Sequence, residues 1–257
     1  MAGVRFLSQI PGGFDRPARY QFEFLERRQE SPTIASFRFS TQGTGFHYRS
    51  NQAIRLILPR VNDPWGPART FSLSSSPTEE GLAQITVKMT DSPYKAALNA
   101  LEPGERVIGL GPVGDLLYDP SRDSMLIGGG IGVSPFRGMI RYAADLGSHS
   151  KILLLYSART PEEIAFRAEL DEIAERDPKI EVRYTVTRLK ESTAPWTGQT
   201  GRFNETRIRT ALHGLRRPRV FVVGTPQMAS ETLDLLRTQL GILEDDLEYE
   251  FFRGYRT

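Results

Sequence analysis

The rhythm of hydrophobic and polar positions changes part-way along the chain. Up to about residue 119 the pattern is alternation. Ile54, Leu56 and Leu58 stand two apart, with Arg55 and Ile57 between them. Ile85, Val87 and Met89 alternate with Gln84, Thr86 and Lys88. A period of two predicts half-buried strands of an antiparallel sheet or barrel. Tyr20–Glu26, Thr33–Ser40 and Glu105–Leu110 are further strand candidates. Turn-formers separate them: Ser31-Pro32, Gln42-Gly43, Asn62-Asp63-Pro64 and Glu102-Pro103-Gly104.

Past Asp119–Asp123 short apolar runs alternate with helical stretches. The runs are Met125–Ile127, Lys151–Tyr156, Ile180–Val186 and Val220–Val223. Ser134-Pro135 predicts one helix start, with Phe136, Met139, Ile140 and Ala143 on one face and Gly147 as a stop. Thr160-Pro161 predicts the next, with Glu163 completing a capping box and Phe166, Leu170, Ile173 and Ala174 as the buried stripe. Thr225-Pro226 predicts a third, ended by Gly241. Each pair places a hydroxyl at the N-cap and proline at the first helical position. Alternating strands and helices imply a parallel doubly wound sheet. The expected architecture is a barrel-like first half and an α/β second half.

Composition narrows the chemistry. Among 257 residues there is no cysteine. That excludes disulfides, thiolate zinc sites, cysteine nucleophiles and Cys-ligated iron–sulfur clusters within this sequence. Only His47, His149 and His213 are present, far apart, so no metal site is expected. Lys and Arg total 33 against 31 Asp and Glu, a net charge of +2 spread along the chain. Without a basic cluster, nucleic-acid binding is not expected. No apolar run reaches the roughly 18–20 residues of a membrane span, and the first residues carry no secretory signal pattern. A cytoplasmic location is expected.

The sharpest motif is Met125-Leu-Ile-Gly-Gly-Gly-Ile-Gly-Val-Ser-Pro135. A strand runs into glycines and then a helix start, an arrangement that offers free N–H groups and a partial positive charge to a phosphate. The spacing Gly130-x-Gly132-x-x-Pro135 departs from the usual dinucleotide fingerprint, and no P-loop lysine follows. Taken alone, this stretch also reads as a glycine-rich turn that binds nothing. Arg69-Thr-Phe-Ser-Leu-Ser-Ser-Ser-Pro77, alone, reads as a surface arginine and a turn. Ser92-Pro93-Tyr94-Lys95 reads as a short helix start.

In their order these segments resemble the ferredoxin–NADP reductase superfamily, which includes cytochrome b5 reductases and oxygenase reductase components. The resemblance runs from about Tyr20 to Phe252. It rests on Arg69-Thr70-Phe71-Ser72, Ser92-Pro93-Tyr94-Lys95, Gly104-Glu105-Arg106-Val107 and Gly111-Pro112-Val113-Gly114. It continues through Gly129-Gly130-Ile131-Gly132-Val133-Ser134-Pro135, Val223-Gly224-Thr225-Pro226-Gln227-Met228 and the closing Glu250-Phe251-Phe252. Phe71, Ser92, Lys95 and Val223 depart from the family's usual tyrosine, glycine, serine and cysteine.

The resemblance implies an antiparallel β-barrel binding flavin over residues 20–121. An α/β parallel-sheet domain binding NAD(P) over 122–257 follows, and residues 1–19 form an arm. It implies FAD, with FMN the alternative, and NADPH or NADH as donor. Arg69, Thr70, Phe71, Ser92 and Lys95 are then expected at the flavin. Ser72 would sit near flavin N5, and Ser72 and Glu250 are the expected catalytic residues. Gly129, Gly130, Gly132, Val133, Ser134 and Pro135 would seat the nucleotide pyrophosphate. Gly224, Thr225, Pro226 and Met228 would border the nicotinamide, and Arg159 and Arg188 the adenosine ribose. Phe252 or Tyr255 would cover the flavin. No ferredoxin domain or C-terminal cysteine cluster is expected here. The acceptor is therefore a separate ferredoxin, flavodoxin or cytochrome, or a small molecule. The rival reading is a flavin-holding subunit or redox sensor with little turnover.

Overall fold

The computed structural model describes residues 17–115 and 117–252. The arm assigned to 1–19 therefore lies almost wholly outside the described residues, as does Tyr255.

Six strands build the first half: β1 (Arg19–Ser31), β2 (Ile34–Ser40), β3 (Ala53–Ile57), β4 (Ala68–Ser72), β5 (Leu82–Lys88) and β6 (Arg106–Val113). They pair antiparallel in the order β4-β3-β6-β1-β2-β5. A bridge between Leu73 and Ile85 joins the two outer strands and closes the barrel. Its interior is aromatic and aliphatic, with Phe22, Phe37, Phe39, Ile54 and Leu56 almost fully buried. Helix α1 (Pro93–Asn99) adds Tyr94 and Leu98 to that core.

The second half holds β7 (Ser124–Gly129), α2 (Ser134–Asp145), β8 (Ile152–Ala158), α3 (Arg167–Arg176), β9 (Ile180–Val186) and β10 (Gln199–Thr200). It continues with α4 (Glu205–Leu212), β11 (Arg219–Gly224), α5 (Pro226–Thr238) and β12 (Leu247–Phe251). All its strands are parallel, in the order β10-β9-β8-β7-β11-β12. The chain moves outward from β7 in one direction and later returns to β11 on the other side. The switch between β7 and β11 is where an open α/β sheet receives ligands. Among the described residues, no helix is long and apolar enough to cross a membrane.

Local starts differ from the sequence expectation in instructive ways. Ser92 and Thr225 cap α1 and α5, accepting from the N–H of Lys95 and Met228. Ser134 caps nothing. A 3-10 turn at Gly130–Val133 already runs into α2, so Ser134 lies inside the helix with Val133 at the cap position. The capping box at Thr160 does not form either. Pro161–Glu163 is a 3-10 turn, Phe166 adopts a left-handed conformation at φ 59°, and α3 begins only at Arg167. The Glu163 carboxylate instead accepts from Thr33 Oγ1 of the barrel at 2.6 Å. A tertiary partner displaces the local cap.

Strand β4, read from sequence as a turn, forms because Phe71 and Ser72 pair with Ile54 and Ala53 of β3. Nor is β5 half-buried. Residues Leu82 through Val87 are all buried, including Gln84 and Thr86. The polar face of the barrel turns toward α2 and is satisfied by its own hydroxyls. Ser36 and Ser74 lie 2.8 and 2.7 Å from Thr86 Oγ1.

The two halves are joined through α2. An added Cβ at Gly138 would lie 2.6 Å from the Ser75 carbonyl, so helix and barrel loop meet backbone to backbone. Beside it the Arg137 guanidinium is buried. It donates to Glu79 at 2.5 and 3.2 Å, to Glu169 at 3.0 and 2.7 Å, and to the Ser74 carbonyl at 3.0 Å. Glu79 and Ser74 belong to the barrel side, Glu169 to α3. Arg137→Met would leave both carboxylates near the interface without their cation. A loss of roughly 3–5 kcal/mol is expected, read as a lower unfolding midpoint in urea.

Candidate functional site

Three groups of residues make up the candidate site, two of them at the carboxyl ends of the parallel strands and one on the barrel. The first crosses the junction. Ser72, the last residue of β4, donates from Oγ to Glu250 Oε2 at 3.1 Å. Glu250 lies in β12, opposite Val223 of β11. Removal from water pushes its carboxyl up to about 7, and the Ser72 hydrogen bond offsets part of that rise. A carboxyl in that range exchanges a proton near neutral pH. The Phe252 N–H donates to the Gly224 carbonyl at 2.8 Å, which lays the chain's last described residue along the same strand end.

The second group is the glycine turn, where the glycines divide their work. Gly130 has φ +53° and nothing within 4 Å of an added Cβ, so it faces open space. Gly132 is the opposite case: a Cβ there would lie 2.2 Å from the Val223 carbonyl. It lets the 3-10 turn pack on β11. Val133, Ser134 and Pro135 are buried, so a ligand meets this stretch through backbone groups. The Met228 sulfur packs between Gly129 and Gly224, 3.4 and 2.6 Å from where their Cβ atoms would lie. Thr225 and Pro226 open α5 beside it. An open, positive-φ turn leading into a helix suits a phosphate.

The third group lies on the barrel. Phe71 is half-buried and its ring centroid is 5.9 Å from that of Tyr94. The Arg69 guanidinium sits 5.0 Å above the Tyr94 ring. An aromatic face beside a cation and a hydroxyl fits a flavin's ring and phosphate. Yet Arg69 has internal partners. Its Nη1 donates to the carbonyls of Trp65, Gly66 and Ala68, and its Nη2 forms an ion pair with Asp63 at 2.8 Å. Thr70 between them is exposed. Sequence reasoning took Asp63 for a turn residue only. The signal was present, since an Asp whose carboxylate accepts from the N–H two residues on is a common turn device, here at 2.8 Å from Trp65 N.

Ser92 caps α1, whose Tyr94 lies under the Arg69 guanidinium. Lys95 turns elsewhere. Its ammonium donates to the Lys88 carbonyl at 2.7 Å and Thr90 Oγ1 at 2.8 Å, and burial beside Lys88 pulls it down to about 8. Arg159 and Arg188 end β8 and β9 together, both exposed, with Arg188 N–H donating to the Arg159 carbonyl at 2.7 Å. Their charges reach Lys88, whose ammonium is lowered first by burial and then by Arg159. Lys88 of the barrel thus stands near Arg159 and Arg188, the residues expected at the ribose, with Glu163 among them and Glu191 paired to Arg188.

This geometry agrees with what the chain is similar to. A family model described as Oxidoreductase NAD-binding domain matches residues 126–234. Ferredoxin–NADP reductase B of Sorangium cellulosum is 29% identical over 87% of this chain and 93% of its own length. The chain is thus similar to the ferredoxin–NADP reductase superfamily. The stachydrine N-demethylase reductase subunit Stc4 of Rhizobium meliloti is 30% identical over 71% of the chain, which spans about half (52%) of that relative. Among solved structures, the Amycolatopsis cytochrome P450 reductase GcoB aligns with a TM-score of 0.78 at 19% identity, over 94% of this chain and 72% of that one. The fold is that of the superfamily: a barrel followed by an α/β domain.

Two outcomes follow from the site. Glu250 ordinarily ionises near 4.5 and here near 7. The folded state therefore holds a proton that the unfolded state has lost, and stability falls as pH rises through that window. Glu250→Gln removes the loss. Its unfolding free energy, read from urea titration, should be close to wild type at pH 5 and exceed it at pH 8 by an amount on the order of 2–3 kcal/mol. The glycines separate in the same way. Gly132→Ala should destabilise the fold whether or not nucleotide is present. Gly130→Ala should cost about 1 kcal/mol of backbone strain and act mainly on nucleotide affinity, measured by calorimetric titration.

Proposed function

We propose that the protein is an NAD(P)H-dependent flavoprotein reductase that delivers electrons to a separate acceptor. The observation that carries the reading is the Ser72–Glu250 hydrogen bond. It brings the end of a barrel strand to β12, the strand beside β11 at the switch of the parallel sheet.

In this reading residues 20–121 hold FAD and residues 122–257 hold the nucleotide. When bound, the flavin would accept a hydride from nicotinamide and release the two electrons to the acceptor. The protein supplies placement and electrostatics. Phe71 offers an aromatic face, and Arg69 a cation for phosphate. Gly130 and the N–H groups that follow it receive the dinucleotide pyrophosphate. Gly224, Thr225, Pro226 and Met228 would border the nicotinamide, and Phe252 would cover the flavin. The pair Ser72 and Glu250 holds a proton between Oγ and Oε2, and can give or take it as charge at the transfer site changes. Arg159 and Arg188, with Lys88 nearby, favour the 2′-phosphate of NADPH through charge.

For the acceptor, ferredoxin–NADP reductase B and the oxygenase reductase subunits among the relatives support a separate redox protein: a ferredoxin, a flavodoxin or a cytochrome. A second reading keeps the flavin but not the turnover, and Val223, Phe71 and Lys95 favour it as departures from the family pattern.

Purified protein should be yellow and, without oxygen, should bleach on addition of NADPH faster than of NADH. Ser72→Ala should keep the colour and slow bleaching by about 100-fold. Yellow protein that neither nucleotide bleaches would replace the reductase with the second reading. Colourless protein that takes up neither FAD nor FMN would end both.

A further inference from the structure

The loop between β3 and β4 carries an acid where the barrel would be expected to keep its cation open. Asp63 lies on a loop exposed enough to leave Trp65 86% accessible, yet its own carboxylate is only 2% exposed. It is held by three groups: the Arg69 guanidinium at 2.8 Å, the Trp65 N–H at 2.8 Å and the Tyr94 N–H at 3.2 Å. The Trp65 hydrogen bond, first among these, keeps it below the usual carboxylate range. A charged carboxylate thus sits on the residue that Proposed function gives to the flavin phosphate.

We propose that Asp63 is a built-in anion that shares Arg69 with the flavin phosphate and thereby selects FAD over FMN. The inference rests on the flavin reading above. Its logic is charge. Arg69 and Asp63 together are neutral, so the cation's attraction for an incoming phosphate is largely cancelled. A terminal phosphate monoester carries close to two negative charges at neutral pH. Each phosphate within a diphosphate bridge carries one. The Arg69 attraction that Asp63 cancels is therefore about twice as large for the FMN terminus, so FMN loses the more by it. Lys95, the other cation expected here, is tied to the Lys88 carbonyl and Thr90 and does not restore the balance. The Tyr94 N–H has one hydrogen, which Asp63 already takes. FAD also brings an adenosine half whose contacts do not depend on Arg69.

The test is the affinity of the full-length apoprotein for riboflavin, FMN and FAD, followed by flavin fluorescence. Riboflavin has no phosphate and reports ring binding alone. Wild type should bind FMN no more than about threefold tighter than riboflavin, and FAD more tightly than either. Asp63→Asn, which keeps the shape and one of the two N–H acceptors while removing the charge, should tighten FMN by about tenfold and FAD by less, with riboflavin unmoved. Asp63→Glu should return the wild-type ranking. Weaker binding of both FMN and FAD by Asp63→Asn would overturn the proposal, because Asp63 would then be holding Arg69 in place for the phosphate. So would an unchanged FMN to FAD ratio, while leaving the flavin reading intact. Wild type alone also decides. If it binds FMN about a hundredfold tighter than riboflavin, Arg69 is not neutralised and the proposal fails. If no flavin binds to any of the proteins, the flavin reading falls and takes this proposal with it.

Discussion

A buried guanidinium sets the terms for the rest of this molecule. Arg137 has five N–H donors, and the hydrogen bonds to Glu79, Glu169 and the Ser74 carbonyl number five. A charge withdrawn from water is tolerated only when paired and hydrogen-bonded. The acids that meet this demand come from opposite sides of the junction. The pairing therefore works only when barrel and parallel sheet stand in one relation. That relation also brings Ser72 to Glu250 and Thr33 to Glu163.

The serine-rich stretch after β4 follows from the same constraint. Ser74, Ser75 and Ser76 are buried, although their sequence suggests an exposed turn. Hydroxyls can donate and accept as neighbours require. Ser74 serves Thr86 and the Gln84 carbonyl, while Ser75 accepts from Tyr48 and from the Gln84 N–H. Small side chains also permit the close approach of α2 at Gly138. A polar yet buried junction of this kind fixes geometry through satisfied hydrogen bonds rather than through apolar area.

At the site itself, glycines and charges take roles that a motif alone does not separate. Gly130 leaves room for a ligand, whereas Gly132 and Gly138 leave room for the protein's own backbone. Arg69 is a cation with an internal counter-ion, and Lys95 is a cation drawn aside by a carbonyl and a hydroxyl. The cations that the resemblance would set at the flavin thus carry internal partners, while the turn at Gly130 stays open.

The change from a two-residue to a mixed strand-and-helix rhythm was enough to predict barrel and parallel sheet. Those periods follow from the geometry of single elements, which local sequence controls. The glycine turn and the caps at Ser92 and Thr225 were legible for the same reason. What lay beyond reach depended on partners distant in sequence. Strand β4 exists through β3, β5 is buried twice over because α2 covers its polar face, and Thr160 loses its capping box to a bond between Glu163 and Thr33. Short elements such as β10 and α4 gave too little pattern to be seen. The pairing of Ser72 with Glu250 joins residues 178 positions apart, and the resemblance named both without placing them together. Asp63 read as an ordinary turn acid until the fold set it against Arg69. Sequence determined which elements form; tertiary structure decided which charges meet, because only the closed fold removes them from water.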